Sequence, residues 1–365
     1  IVGGNKNTSG AAMLSAEAAL RVGTGSVKIL CSKETISFYS IKFPSALKIE
    51  INSAKDLKKF LKKEKITSAL IGPGIGVGEK TRKFTEILLK KVKNVVIDAD
   101  GATAVPGFID SQVHNTFGDY TPRQKTVGFL ESYVHGGTTT GISASEVHVT
   151  GRPKDPEGVK ALAVAALKCF ENYRPGGMRF WAGSIILEPG LVEADFKEIA
   201  DKGVWLAKAG FGAVDTPYDY APMVAWAKKH GMVTTVHTGG SSIPGSSGIW
   251  ADHLLKMRPD VSFHVNGGPA AMPDEDFPRL VNESDIALQV CTAGNLRTLL
   301  MTTELLREAD QFDRLLIATD TPTGSGIMPL GMMYTITHLA SLTDLPVEHA
   351  IAAATGNNAK IYNLN

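Results

Sequence analysis

Six polar side chains close short apolar runs across residues 105–320. Gln112 and His114 end the run that begins at Val105. Lys208 ends the run from Val204, His237 the run from Val233, and His264 the run from Val261. Asp320 ends the run from Leu315. Each of these alone has an ordinary reading, as a solvated lysine, a hydrogen-bonded histidine or a turn-capping aspartate. Together their imidazole and carboxylate groups stand at the ends of separate strands. If those ends meet above one closed sheet, the donors suit Zn²⁺, or Fe²⁺ or Mn²⁺, as one ion or two. Residues i and i+2 of a strand share a face, so Gln112 and His114 look into the same site.

Positioning such a set needs strands that are parallel and closed. Eight apolar runs alternate with amphipathic helices: Phe108–His114, Thr138–Ser143, Arg179–Leu187, Val204–Lys208, Val233–His237, Val261–Val265, Ala287–Cys291 and Leu315–Asp320. Helices are predicted between them, for example Gly158–Glu171, Tyr220–His230 and Leu296–Glu308. Eight βα units in residues 104–365 predict a TIM barrel, a fold whose sites lie at the C-terminal strand ends. On the same rim, Arg123, Lys125 and His148 are candidates to hold a substrate carboxylate, Arg123 first because its guanidinium binds a carboxylate by two bonds.

Residues 1–103 read differently. The first hundred residues carry a net charge of +9 and the remainder −8. Strands are expected at Val27–Cys31, Ala46–Ile51, Ser68–Ile71 and Asn94–Ile97. One helix is expected with Thr8 or Ser9 as its N-cap, a second is capped by Ser53, and a third spans Thr81–Lys93. Strands alternating with helices imply a parallel α/β layer. Gly72-Pro73-Gly74-Ile75-Gly76 is not a phosphate-binding loop of the Walker type, because Gly78-Glu79-Lys80-Thr81 interrupts that pattern. It reads first as a tight strand-to-helix turn.

Two family resemblances follow from these strings. Gly3-Gly4, Ser9-Gly10-Ala11-Ala12, Gly72–Gly76 and Val96–Gly101 resemble the NAD(P)H-hydrate dehydratases of the ribokinase-like fold over residues 1–101. That likeness implies part of a three-layer α/β fold. Gly72, Gly74, Gly76, Asp98 and Asp100 would line a nucleotide cleft, and the alternative function would be a nucleotide-dependent dehydratase-like lyase. The segment's expected continuation, a Thr-Pro-His-x-Gly-Glu string and a late Gly-Asp pair, is missing. Val105–His114, His135–Thr140, His237–Gly240, Ile317–Pro322 and Ala353–Asn357 resemble the amidohydrolase superfamily. Asp119–Thr126 and His237–Ser247 are closer to its enamidase-like cyclic amidohydrolases, which open a six-membered oxo-ring acid.

That second resemblance implies roles. His114 would be a metal ligand, and Lys208 would bridge two ions after carboxylation by CO₂. His237 and His264 would bind the second ion, and Asp320 would be ligand and general base. The substrate would be a small cyclic amide bearing a carboxylate. Gln112 stands where the family pattern has a first histidine, and its weak amide oxygen predicts a mononuclear site or a lost activity. No strands of the small β-sandwich usual in such enzymes are recognisable. The join near residue 100 therefore predicts a fusion or chimera, homo-oligomeric through uncovered surface; an inactive scaffold is the remaining alternative.

Composition sets outer limits. A net charge of +1 argues against a general nucleic-acid binder. The three cysteines, Cys31, Cys169 and Cys291, are scattered, which suits a reducing cytoplasmic setting. No apolar run is long enough to span a bilayer.

Overall fold

Helices laid between successive strands force those strands to run the same way, and every ladder between the strands described below is parallel. The computed structural model describes residues 1–21, 23–76, 78–98, 105–114, 126–144, 151–241, 246–267, 271–322 and 326–364. Its contacts separate two units, Ile1–Ala104 and Val105–Asn365. No helix among the described residues is long and apolar enough to cross a membrane.

The first unit contains β1 (Lys28–Cys31), β2 (Leu47–Glu50), β3 (Ser68–Ile71) and β4 (Asn94–Ile97), with helices α1 (Ser9–Arg21), α2 (Lys33–Lys42), α3 (Ala54–Lys63) and α4 (Glu79–Lys91). β1 pairs with β2, and β3 with β4. Val2 bridges both Leu30 and Ile71, so the N-terminal residues form the middle of the sheet. The predicted Ser53 cap is present. Ser53 Oγ accepts from the Asp56 amide, and Asp56 returns the bond to the Ser53 amide. Leu57, packed beneath that helix, is fully buried in the unit's core with Val2, Ile71 and Leu88. Helix α2 was not expected from the sequence. Only Thr35 and Tyr39 are buried along it, so it lacks the apolar stripe that signals a helix.

The second unit is a (β/α)₈ barrel. Its strands are β5 (Phe108–Val113), β6 (Thr138–Ser143), β7 (Arg179–Trp181), β8 (Ser184–Ile186), β9 (Leu206–Ala209), β10 (Val233–His237), β11 (Val261–Phe263), β12 (Ala287–Cys291) and β13 (Leu315–Ala318). One ladder runs β5-β6-β7 and another runs from β8 to β13 in order. The predicted third strand, Arg179–Leu187, is therefore two pieces. Gly183 divides them at φ +99°, a backbone state that glycine adopts without Cβ strain. The barrel closes where Val113 bridges Thr321 and the Asp320 amide donates to the Gln112 carbonyl at 3.0 Å. Ile142, Leu206, Val233, Val261, Phe263 and Leu316 fill the interior, with Tyr362 packed against them. Around it lie α5 (Thr126–Val134), α6 (Pro156–Phe170), α7 (Glu193–Asp201), α8 (Tyr220–Lys229), α9 (Ala251–Met257), α10 (Asp276–Glu283), α11 (Leu296–Glu308), α12 (Gly331–Leu342), α13 (Val347–Ala353) and α14 (Gly356–Ile361).

Candidate active site

The candidate residues sit at the C-terminal ends of the barrel strands, and all six are buried. Where β5 pairs β6, the register shifts between Asp110 and Val113. Beyond that irregularity Gln112 and His114 reach the same carboxylate. Gln112 Nε2 donates to Asp320 Oδ1 at 2.8 Å, and His114 Nε2 lies 3.0 Å from that oxygen. Asp320 stands two residues past β13 with φ +56°, and His264 stands just past β11 with φ +34°. Non-glycine residues held in the left-handed region cluster at functional sites. Burial by itself would raise the Asp320 pKa. The His114 bond and the nearby His264, His114 and Lys208 groups outweigh burial and bring it down to about 2.

The second group is an imidazole pair. His237 Nε2 lies 2.9 Å from the Gly240 carbonyl, which can only accept, so the proton is on Nε2. Burial, then the neighbouring His264 and Lys208, push the His237 pKa well down; burial takes His264 to about 4. Both rings are therefore neutral at pH 7. His237 Nδ1 then presents a lone pair to His264 Nε2, 3.1 Å away, which donates its hydrogen to it. This tautomer leaves His264 Nδ1 without a partner.

Lys208 lies within β9 and is fully buried, and its Nζ has no hydrogen-bond partner. Nζ sits 3.8 Å from the Phe263 ring centre and 5.6 Å from that of Phe211. Burial lowers its pKa well below that of an ordinary lysine, with the Asp320 charge working the other way. A buried amine in this state is the form that could react with CO₂.

Whether an ion fits can be judged from these donors. Two nitrogens bound to one tetrahedral ion lie about 3.3 Å apart, given bond lengths near 2.05 Å. His237 Nδ1 and His264 Nε2 lie close to that separation and both rings are neutral, but His264 Nε2 would present its lone pair to an ion only in the other tautomer, with the hydrogen on Nδ1. The Gly240 carbonyl on the far nitrogen of His237 is the kind of outer partner that orients a ligating imidazole. Gln112, His114 and Asp320 instead bond one another. Among the described residues, no three His, Cys, Asp or Glu side chains gather closely enough to hold an ion. The six side chains thus form two neighbouring groups around Lys208, where the sequence predicted one convergent set.

The remaining sequence candidates fall elsewhere. Arg123, Lys125, His148 and Asp100 lie outside the described residues. In the first unit, Gly72 has φ +130°, and a Cβ there would come within 1.8 Å of the Asp98 carbonyl oxygen. Thr8 Oγ1 and Asn5 Nδ2 both donate to the Gly74 carbonyl, so this is a packed strand-to-helix turn. A cavity of about 580 Å³ in this unit opens beside Lys28, Ser68 and Leu70, and none of Gly72, Gly74, Gly76 or Asp98 lines it.

Sequence reasoning passed over two buried acids. Glu188 follows the apolar run Ser184–Leu187, the same strand-end signal that picked out His237 and Asp320. It pairs with Arg152 and accepts from the Ala213 amide at 2.6 Å. Arg152 also donates to the Phe211 carbonyl at 2.7 Å, and the Phe211 ring lies 5.2 Å from that of His237. Asp110, two residues before Gln112, is the other; its bonds run to Thr319 and to the Gln112 amide.

Comparison with known proteins gives this arrangement a family. Over 271 residues the chain is 44% identical to the enamidase of Eubacterium barkeri, covering 74% of this chain and 70% of that one. A crystal structure of enamidase, described as a member of the amidohydrolase superfamily, superposes with a TM-score of 0.68 over 73% of this chain and 69% of that one. The chain belongs to the amidohydrolase superfamily. Its N-terminal part matches a second family, since residues 1–124 fit the NAD(P)H-hydrate dehydratase model. Over 106 residues it is 34% identical to the ADP-dependent (S)-NAD(P)H-hydrate dehydratase of Staphylococcus aureus, covering 28% of this chain and 38% of that protein. An amidohydrolase barrel here follows a segment that resembles part of a dehydratase, as in a fusion.

Proposed function

We propose that the barrel hydrolyses a C–N bond of a small, carboxylate-bearing cyclic amide, the substrate class that the enamidase-like motifs of its sequence imply. The observation that carries this reading is the neutral His237–His264 pair, with the ionised Asp320 close enough to shift both rings. His237 Nδ1 and His264 Nε2 would hold one Zn²⁺, Fe²⁺ or Mn²⁺. Such an ion, when bound, lowers the pKa of water from 15.7 to about 7 and polarises a carbonyl. Asp320 takes the proton of the attacking water and passes it to the leaving nitrogen. Gln112 and His114 both bond Oδ1, so Oδ2 is the oxygen that carries the proton. Gln112 offers the first metal position only a weak amide oxygen where the family pattern has an imidazole, so one ion per chain is expected. Lys208 joins the ligand set only if carboxylated. Arg123, Lys125 and His148 are the rim groups assigned to the substrate carboxylate.

Metal content per chain, measured on protein purified without chelator, tests this reading. One equivalent in the parent, none in His264→Ala and two in Gln112→His are expected. No metal after incubation with Zn²⁺ and bicarbonate would remove the hydrolase reading.

A further inference from the structure

Asp110 has no part in the chemistry above, yet it is fully buried beside it. Burying a carboxylate is costly unless its oxygens are bonded. Here they are. Thr319 Oγ1 donates to Oδ2, and the Thr319 amide donates to Oδ1 at 3.1 Å. The Gln112 amide adds a longer bond of 3.3 Å to Oδ1. The contact runs on through hydroxyls, from Thr319 to Thr321 at 2.7 Å and from Thr321 to Tyr133 of α5. Asp320 lies between the two threonines, in the left-handed backbone state that few non-glycine residues adopt. Its own amide bonds the Gln112 carbonyl at 3.0 Å, and the Thr321 carbonyl accepts from the His114 amide at 2.8 Å.

One carboxylate that grips both the amide and the hydroxyl of Thr319 leaves that residue little rotational freedom. An apolar side chain in place of Asp110 would fill the space but release both groups. We propose that Asp110 is a positioning residue: through Thr319 it fixes the turn that aims Asp320 at His114 and Gln112. It touches neither substrate nor the assigned ion ligands, and acts through the backbone of the strand that carries Asp320. The consequence for turnover rests on the hydrolase reading; the positioning itself does not.

Thr319→Val removes only the hydroxyl, and Thr319→Ser keeps it. Asp110→Asn keeps an acceptor for the Thr319 amide and serves if the valine variant fails to fold. With a six-membered cyclic amide acid as substrate, Thr319→Val and Asp110→Asn should lose about ten- to a hundredfold in kcat at unchanged KM. Thr319→Ser should stay near the parent. Folded variants that keep the parent kcat would overturn the proposal. If the parent hydrolyses no cyclic amide, the hydrolase reading fails and a crystal structure of Thr319→Val decides the positioning. Asp320 Oδ1 displaced from His114 Nε2 supports it; the 3.0 Å contact retained sinks it.

Discussion

The two units share a local grammar of parallel strands with helices between them, and they differ in closure. In the barrel the first and last strands meet through Val113 and Thr321, leaving an enclosed interior. In the first unit the sheet stops at β2 and β4, whose Leu47, Val96 and Ile97 remain exposed. Charge follows the same division. The first unit's ion pairs, such as Arg82–Glu79 and Lys28–Glu64, lie at its surface, where such pairs contribute about 0–1 kcal/mol. The barrel buries Lys208, Asp110, Asp320 and the Arg152–Glu188 pair. Closure makes an interior in which a charge state depends on its neighbours, and that is where proton and metal chemistry becomes possible.

The sharpest way to break this contrast is to neutralise one carboxylate in each unit. Asp320→Asn should lower kcat by about 10²–10⁴-fold, the range for losing a general base. Glu86→Gln, at the surface of α4, should leave the rate unchanged. Steady-state kinetics on both variants would show whether the chemistry is confined to the barrel.

Next in size is the buried pair. Glu188→Ala leaves Arg152 buried without its partner, which should cost about 3–5 kcal/mol in denaturant unfolding. Glu64→Ala, opposite Lys28 in the first unit, should cost no more than about 1 kcal/mol. Equal losses would mean that burial does not separate the two units as described.

Acid should also act inside the barrel, through two buried groups of opposite sign. The folded-state pKa of His264 is about 4, below its unfolded value of 6.5, so the unfolded chain binds the proton earlier. Stability in chelated protein is therefore lost as pH falls from 6.5 towards 4, by about 3 kcal/mol at 1.36 kcal/mol per unit. Asp110 works the other way. Burial raises its pKa to about 7, against the Thr319 and Gln112 bonds, so its contribution is lost as pH rises from 3.8 towards 7. Comparing denaturation midpoints of parent and His264→Asn at pH 7 and pH 4.5 isolates the histidine. A parent that loses no more than the variant would remove this account.

The smallest effect tests the open edge. Val96→Lys on β4 should change stability by less than about 0.5 kcal/mol. It should nevertheless reduce self-association in sedimentation, because a charge on an edge strand discourages pairing. A parent that is already monomeric at every concentration would dispose of the edge as an association surface.

Much of this was legible in the residues. Thr138–Ser143, Val233–His237, Ala287–Cys291 and Leu296–Glu308 form the predicted elements at the predicted bounds, because their apolar runs are bounded by turn residues. The strand-end rule also found Lys208, His237, His264 and Asp320. It overran at β11 and β13, where the chain turns left-handed at His264 and Asp320, and no apolar pattern records a backbone angle. The division at Gly183 escaped for the same reason. Asp110 and Glu188 were passed over because their partners, Thr319 and Arg152, are remote in sequence or of a different residue class.

Gly183 carries one more consequence. The barrel's belt of backbone bonds is interrupted between β7 and β8, leaving runs of three and six strands. Seen over time, such a belt has a seam. Amide hydrogens beside it should exchange with solvent sooner than those of β10 or β12, deep in the longer run. The Arg152–Glu188 pair ties the chain just past that seam to the Phe211 carbonyl, and the Phe211 ring lies 5.2 Å from that of His237.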